Sequence, residues 1–143
     1  MLHPRKIKFR KYQTKRLLSF SKIWSKKNRF LNYGLFGLRS NSFGILKSSH
    51  FECIRIAMAR KVRQRGLLKA WYRVFPSIPF TRKPNEVRMG KGKGVFSFWG
   101  TPVFKGCIFL ELGGIDLRTA ILILKYIQTK LSFKASILIK SNI

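Results

Sequence analysis

The sequence predicts an α+β domain: two helices packed on a mixed or antiparallel sheet, preceded by a basic, extended arm. Three observations predict it. Two stretches carry apolar residues at helical spacing behind a capping residue. Around them lie short runs rich in aromatic and β-branched residues, some joined by connections of hairpin length. Finally, 143 residues, 45% hydrophobic, suffice for one modest core. No internal repeat is present.

Residues 1–32 read as the arm. Cations alternate with the aromatic anchors Phe9, Tyr12, Phe20, Trp24 and Phe30, so that rings can pack while charges reach phosphates. "YGLFGLRSNSFGILKS" (33–48) reads as two short strands around the turn "SNS". Ser49 and Glu52 are spaced as a capping box, opening a helix whose Phe51, Ile54, Met58 and Val62 share one stripe. Arg55, Arg60, Arg63 and Arg65 lie mostly off that stripe, and Gly66 is placed to end it. "LKAWYRVFP" (68–76) alternates as a strand, with Leu68, Ala70, Tyr72 and Val74 on one side. Pro76 and Pro79 then stop regular structure, and 77–94 is expected as a long loop region. "VFSFW" and "VFKGCIFLEL" are strands by composition, with a turn at Gly113-Gly114. Asp116 caps a second helix over 117–131, its core face formed by Leu117, Ala120, Ile121, Leu124, Ile127 and Leu131. "FKASILIK" (133–140) is the final strand.

The charge is the unusual quantity. Thirty-one Lys and Arg face four acids, a net of +27. Residues 1–94 hold 25 of the cations and two acids, Glu52 and Glu86; residues 95–143 hold six and two, Glu111 and Asp116. The acids can neutralise at most four cations, so the rest repel unless a polyanion screens them. Such a balance points to nucleic acid. The helix arginines suit that role, because a guanidinium binds phosphate oxygens in pairs.

Several other chemistries are excluded. Cys53 and Cys107 are too few and too far apart for a metal site or a disulfide framework, and are expected as buried small hydrophobes. His3 and His50 have no partner constellation. The four acids show no paired-carboxylate spacing, and no Ser/His or Cys/His arrangement appears. No cofactor, metal or small-molecule substrate is therefore expected. The longest apolar run, "AILILKYI", contains a lysine and falls far short of a bilayer span. The basic N-terminus also has the composition of a transit peptide, although 51 residues without an acid is long for one.

The most unusual local feature is "EVRMGKGKGVFSFW" (86–99). A nucleotide-phosphate loop would need G-x-x-x-x-G-K-[ST] before a helix; here a strand-like run follows and no hydroxyl succeeds Lys91 or Lys93. Alternating glycines cost entropy on ordering. They make sense where the backbone passes very close to a neighbour, such as packed RNA, with Arg88, Lys91 and Lys93 on phosphates.

"RMGKGKGVFSFW" resembles the signature R-M-G-x-G-K-G, then an aromatic, of the bacterial-type large-subunit ribosomal protein family L-sixteen, related to the L-ten-e proteins. "MLHPRKIKFRK", "GLFGLRS", "IRIAMARKV" and "WYRVFPSIPFTRKP" are similar to further elements of that family, so the likeness spans nearly the whole chain. In place of the family's glycine-rich loop before Tyr33 stands "QTKRLLSFSKIWSKKNRFLN", without glycine.

The resemblance implies a non-enzymatic constituent of the large ribosomal subunit. It implies binding to large-subunit rRNA near the aminoacyl-tRNA site and contact with other large-subunit proteins. The loop Arg88, Met89, Gly90, Lys91, Gly92, Lys93 and Gly94 would face tRNA and the peptidyl-transferase region. Arg5, Lys6, Lys8, Arg10 and Lys11 would hold rRNA, with Arg55, Arg60, Arg63, Arg65, Arg73, Arg82 and Lys83. A free RNA-binding or ribosome-assembly factor is the alternative. Fourteen isoleucines, 18 lysines and 13 phenylalanines suggest an A+T-rich coding sequence. That favours a mitochondrial ribosome over a plastid or bacterial one; if the gene is organelle-encoded, the basic start belongs to the mature chain.

Overall fold

The computed structural model describes residues 2–11, 13, 28–62 and 68–140. The expected anchors Tyr12, Phe20 and Trp24, and the expected Arg63, Arg65 and Gly66, lie outside the described residues. The fold is α+β, and its sheets are antiparallel. The elements run β1 (Phe36–Ser40), β2 (Gly44–Lys47), α1 (Ser48–Val62), β3 (Lys69–Tyr72), β4 (Ile78–Arg82), β5 (Val95–Val103), β6 (Ile108–Gly113), α2 (Leu117–Gln128) and β7 (Ala135–Ile139). One sheet has the order β3-β6-β1-β7 and the other β2-β5-β4. The two strands expected around "SNS" exist as β1 and β2, but each pairs in a different sheet.

The core lies between the helices and one face of the four-stranded sheet. Phe36 and Leu38 of β1, and Leu110 and Leu112 of β6, meet Phe51, Ile54 and Met58 of α1 and Ala120, Ile123, Leu124 and Ile127 of α2. The alternation expected for the third strand holds: Leu68, Ala70, Tyr72 and Val74 pack against this core. Leu46 and Val103 bring the second sheet to it.

Four expectations are corrected. The first helix begins at Ser48, so Ser49 lies within it, and Glu52 bonds Arg55 instead of completing a capping box (Arg55 Nη2 to Glu52 Oε1, 2.6 Å). A strand, β4, occupies part of the expected loop 77–94. Pro79 is tolerated there because β4 is an edge strand, where a missing N–H costs no ladder bond. The second helix ends at Gln128, whose Nε2 donates to the Ala135 carbonyl at the start of β7 (2.8 Å). Its buried face is Thr119, Ala120, Ile123, Leu124 and Ile127, while Leu117 sits exposed in the first turn. The cap itself is as expected, with Asp116 Oδ2 accepting from Thr119 N (3.2 Å). Finally, Cys107 is buried but Cys53 is exposed, on the polar side of α1.

Candidate nucleic-acid interface

The expected loop is built on a rigid hairpin. β4 and β5 pair down to Arg82 opposite Val95. Phe80 stacks on Phe98 (centroids 5.1 Å apart), Phe96 packs on Trp99 (5.1 Å), and Lys47 Nζ lies 4.6 Å from the Phe98 centroid. Aromatic pairs of this kind stiffen the base from which residues 83–94 project.

The alternating glycines have two separate reasons. Gly90, Lys91 and Gly92 all take positive φ (96°, 52° and 79°), a conformation with a low cost only for glycine. No atom would obstruct a side chain at Gly90 or Gly92, so conformation alone demands glycine there. Gly94 is different. A Cβ there would lie 2.6 Å from the Arg82 carbonyl carbon and 2.8 Å from Lys83 N, so the two legs of the loop meet without room for a side chain. Lys83 Nζ then donates to the Gly90 carbonyl across the loop (2.7 Å). The result presents Arg88, Lys91 and a fully exposed Met89 to solvent.

The other expected cations fall into three situations. Arg5, Lys6, Lys8, Arg10 and Lys11 are exposed on a segment without regular structure. Arg55 and Arg60 are exposed along α1, with Arg55 paired to Glu52. Arg82 is exposed beside the loop and Lys83 half-buried beneath it. Arg73 is the exception, because its guanidinium serves the chain itself.

Arg73 pairs with Glu111, whose side chain is fully buried. Glu111 lies between Leu110 and Leu112 on β6. Because neighbouring strand residues face opposite ways, it points away from the helices, to the outer face of the sheet. Residues 28–34 lie against that face. Glu111 Oε2 accepts from the backbone N–H groups of Asn32 (3.1 Å), Tyr33 (2.7 Å) and Gly34 (3.0 Å). Arg73 also donates to the Phe30 carbonyl (3.2 Å) and to Asn28 Oδ1 (3.0 Å), while Asn28 Nδ2 donates back to the Arg73 carbonyl (3.1 Å). Tyr33 stacks on Trp71 (6.2 Å), and Leu31 covers Gly37, where a side chain would collide with it. Burial pushes the Glu111 carboxyl up, but the Gly34 N–H, the Arg73 guanidinium and the Tyr33 N–H outweigh it, holding the group below its usual range. This hub fixes where the arm leaves the domain. Sequence reasoning missed it, although an acid inside "FLELG" was the available signal: a carboxylate flanked by core leucines needs a buried cation.

A family model described as ribosomal protein L16p/L10e matches residues 4–138. The chain belongs to this family. It is 36% identical over 143 residues to the large ribosomal subunit protein uL16 of Borrelia duttonii (strain Ly), covering 100% of this chain and 99% of the relative. The same protein of Borreliella burgdorferi (strain ZS7) is 35% identical over the same coverage. L16p/L10e membership makes the chain a ribosomal protein and accounts for its basic surface. Among the described residues no group of three or more His, Cys, Asp and Glu could hold a metal ion, and no helix is long and apolar enough to cross a membrane.

Proposed function

We propose that this L16p/L10e protein is a structural constituent of the large ribosomal subunit that binds large-subunit rRNA near the aminoacyl-tRNA site and helps position tRNA. The observation that carries this reading is the loop 83–94. A stiff aromatic hairpin holds it, its glycines fix its path, and it ends in exposed Arg88, Met89 and Lys91. A surface loop with no partner needs none of these three.

In this reading residues 1–32 are the RNA-binding arm, rooted by Glu111 and Arg73, and residues 33–143 form the domain. Arg5, Lys6, Lys8, Arg10, Lys11, Arg55, Arg60, Arg63, Arg65, Arg82 and Lys83 neutralise phosphates, and the released counterions supply much of the affinity. Arg73 acts through the arm root instead. Neighbouring large-subunit proteins and the tRNA of the aminoacyl site complete the set of partners. Co-sedimentation tests the assignment. The chain is expected to stay with large subunits through a high-salt gradient, and its release into the light fractions would favour a free RNA-binding or assembly factor.

The relatives named above are bacterial, and the isoleucine- and lysine-rich composition remains the argument for an organelle. Recovery of the protein in large subunits from purified mitochondria would establish that compartment. Recovery only with cytoplasmic ribosomes of a bacterium would refute it.

A further inference from the structure

A second basic feature lies on the opposite flank of the arm root from Arg73; the sequence pointed only to Phe30, as an aromatic anchor of the arm, and not to its pairing with β1 and β7. An open groove of about 380 Å³ is lined by Arg29, Phe30 and Leu31 of the root, Arg39 of β1, and Leu138, Ile139 and Lys140 at the end of β7. It contains three cations and no acid. Among the described residues, none of the three is in an ion pair. Phe30 is 77% exposed, yet its backbone carbonyl is held by Arg73 Nη1. Lys140 N donates to the Leu35 carbonyl (2.8 Å), which fixes the groove's other wall. The ring is thus presented on a fixed backbone rather than carried by a loose tail.

We propose that this groove is an RNA-binding site for an unpaired nucleotide and its flanking phosphates. The Phe30 ring stacks on the base, while Arg29, Arg39 and Lys140 neutralise the backbone on either side. An exposed aromatic among cations suits single-stranded nucleic acid, because every base offers a π-face and every linkage a charge. An acidic protein segment would supply the charge but has no base to cover Phe30. The site rests on the RNA-binding reading above; it takes Arg29, Phe30 and Leu31 from the end of the arm but uses none of the individual cations named there.

The purified full-length chain is titrated with a fluorescein-labelled twelve-nucleotide oligouridylate across a salt series. Variants are Arg39→Gln with Lys140→Gln, Phe30→Ala, Phe30→Trp, and a charge-matched pair elsewhere, Lys69→Gln with Lys125→Gln. Circular dichroism checks that each remains folded. The groove pair is expected to weaken binding about tenfold and to flatten the log K against log salt slope by about 1.4, the value for two lost phosphate contacts on a single strand. Phe30→Ala is expected to weaken binding about fivefold or more, within the range for losing one stacked base, with the slope unchanged. Phe30→Trp should restore it. If the wild type binds but the groove pair behaves like the Lys69/Lys125 pair, or Phe30→Ala has no effect, the groove proposal is overturned alone. If a labelled twelve-residue polyglutamate binds as tightly and responds to all variants alike, the groove is an acidic-peptide site and the proposal is likewise wrong. If the wild type binds no RNA even at low salt, the broader RNA reading falls with it.

Discussion

Glu111 shows how much one side chain can organise here. Its carboxylate satisfies three backbone N–H groups and one guanidinium, and together they hold the root of the arm. Glu111→Gln removes the charge and leaves Arg73 with 11% exposure and no counterion. The expected loss is about 3 kcal/mol, read by urea denaturation. The pH dependence has a definite sign. Because the folded state holds this carboxyl low, its contribution is present above about pH 4.3 and is lost as pH falls through the folded value. The gap between wild type and Glu111→Gln should therefore close in acid; a gap constant with pH would refute the anchor. Tyr72 makes a second, opposite case. Burial pushes its phenol up to about 12, and among the described residues its hydroxyl has no hydrogen-bond partner. The stability it protects is complete below about pH 10 and drains as pH rises towards the folded value. Tyr72→Phe should cost no more than about 0.5 kcal/mol, since only an unbonded hydroxyl leaves, and should flatten that alkaline loss. A cost above about 1 kcal/mol would mean the hydroxyl has a partner.

Among the elements, the β4–β5 hairpin and its loop separate two uses of glycine. Gly90→Ala should strain only the loop, by about 1 kcal/mol, lowering the melting temperature by no more than about 4 °C, with faster amide exchange confined to residues near 90. Gly94→Ala must displace backbone and should lower the melting temperature of the whole chain. Equal melting temperatures would contradict this division. Functionally, Arg88→Ala should slow tRNA accommodation more than it lowers large-subunit yield, whereas replacing Arg5, Lys6, Lys8 and Arg10 together should do the reverse. Collapsed subunit profiles with normal rates in the survivors of Arg88→Ala would refute the loop's role. These elements were legible to different degrees. The apolar stripe of α1 and the Asp116 cap of α2 could be read because they depend on local spacing. β4 could not, because only the sheet order shows that Pro79 sits on an edge. The phase of α2 was misread at Leu117, since a 3.6-residue period fixes a stripe but not where the sheet beneath it ends.

At the scale of the molecule, charge dominates. Among the described residues Glu52 pairs with Arg55, Glu111 pairs with Arg73, and Asp116 caps a helix. The surplus of 27 positive charges has no answer within the chain. The fold arranges that surplus by keeping it out of the apolar layer between helices and sheet, leaving cations on the arm, the polar side of α1 and the loop. Composition made the surplus legible at once, and local motifs placed the loop. The anchoring of the arm was not legible, because Asn28, Arg73 and Glu111 are far apart in sequence and meet only across the sheet. The central claim is that a polynucleotide supplies the missing counter-charge. The direct measurement is the affinity of the purified chain for large-subunit rRNA as salt is raised. The account predicts a linear fall of log K with log salt at a slope of about −5 or steeper, as for six or more neutralised phosphates. Weak binding that does not change with salt would contradict it.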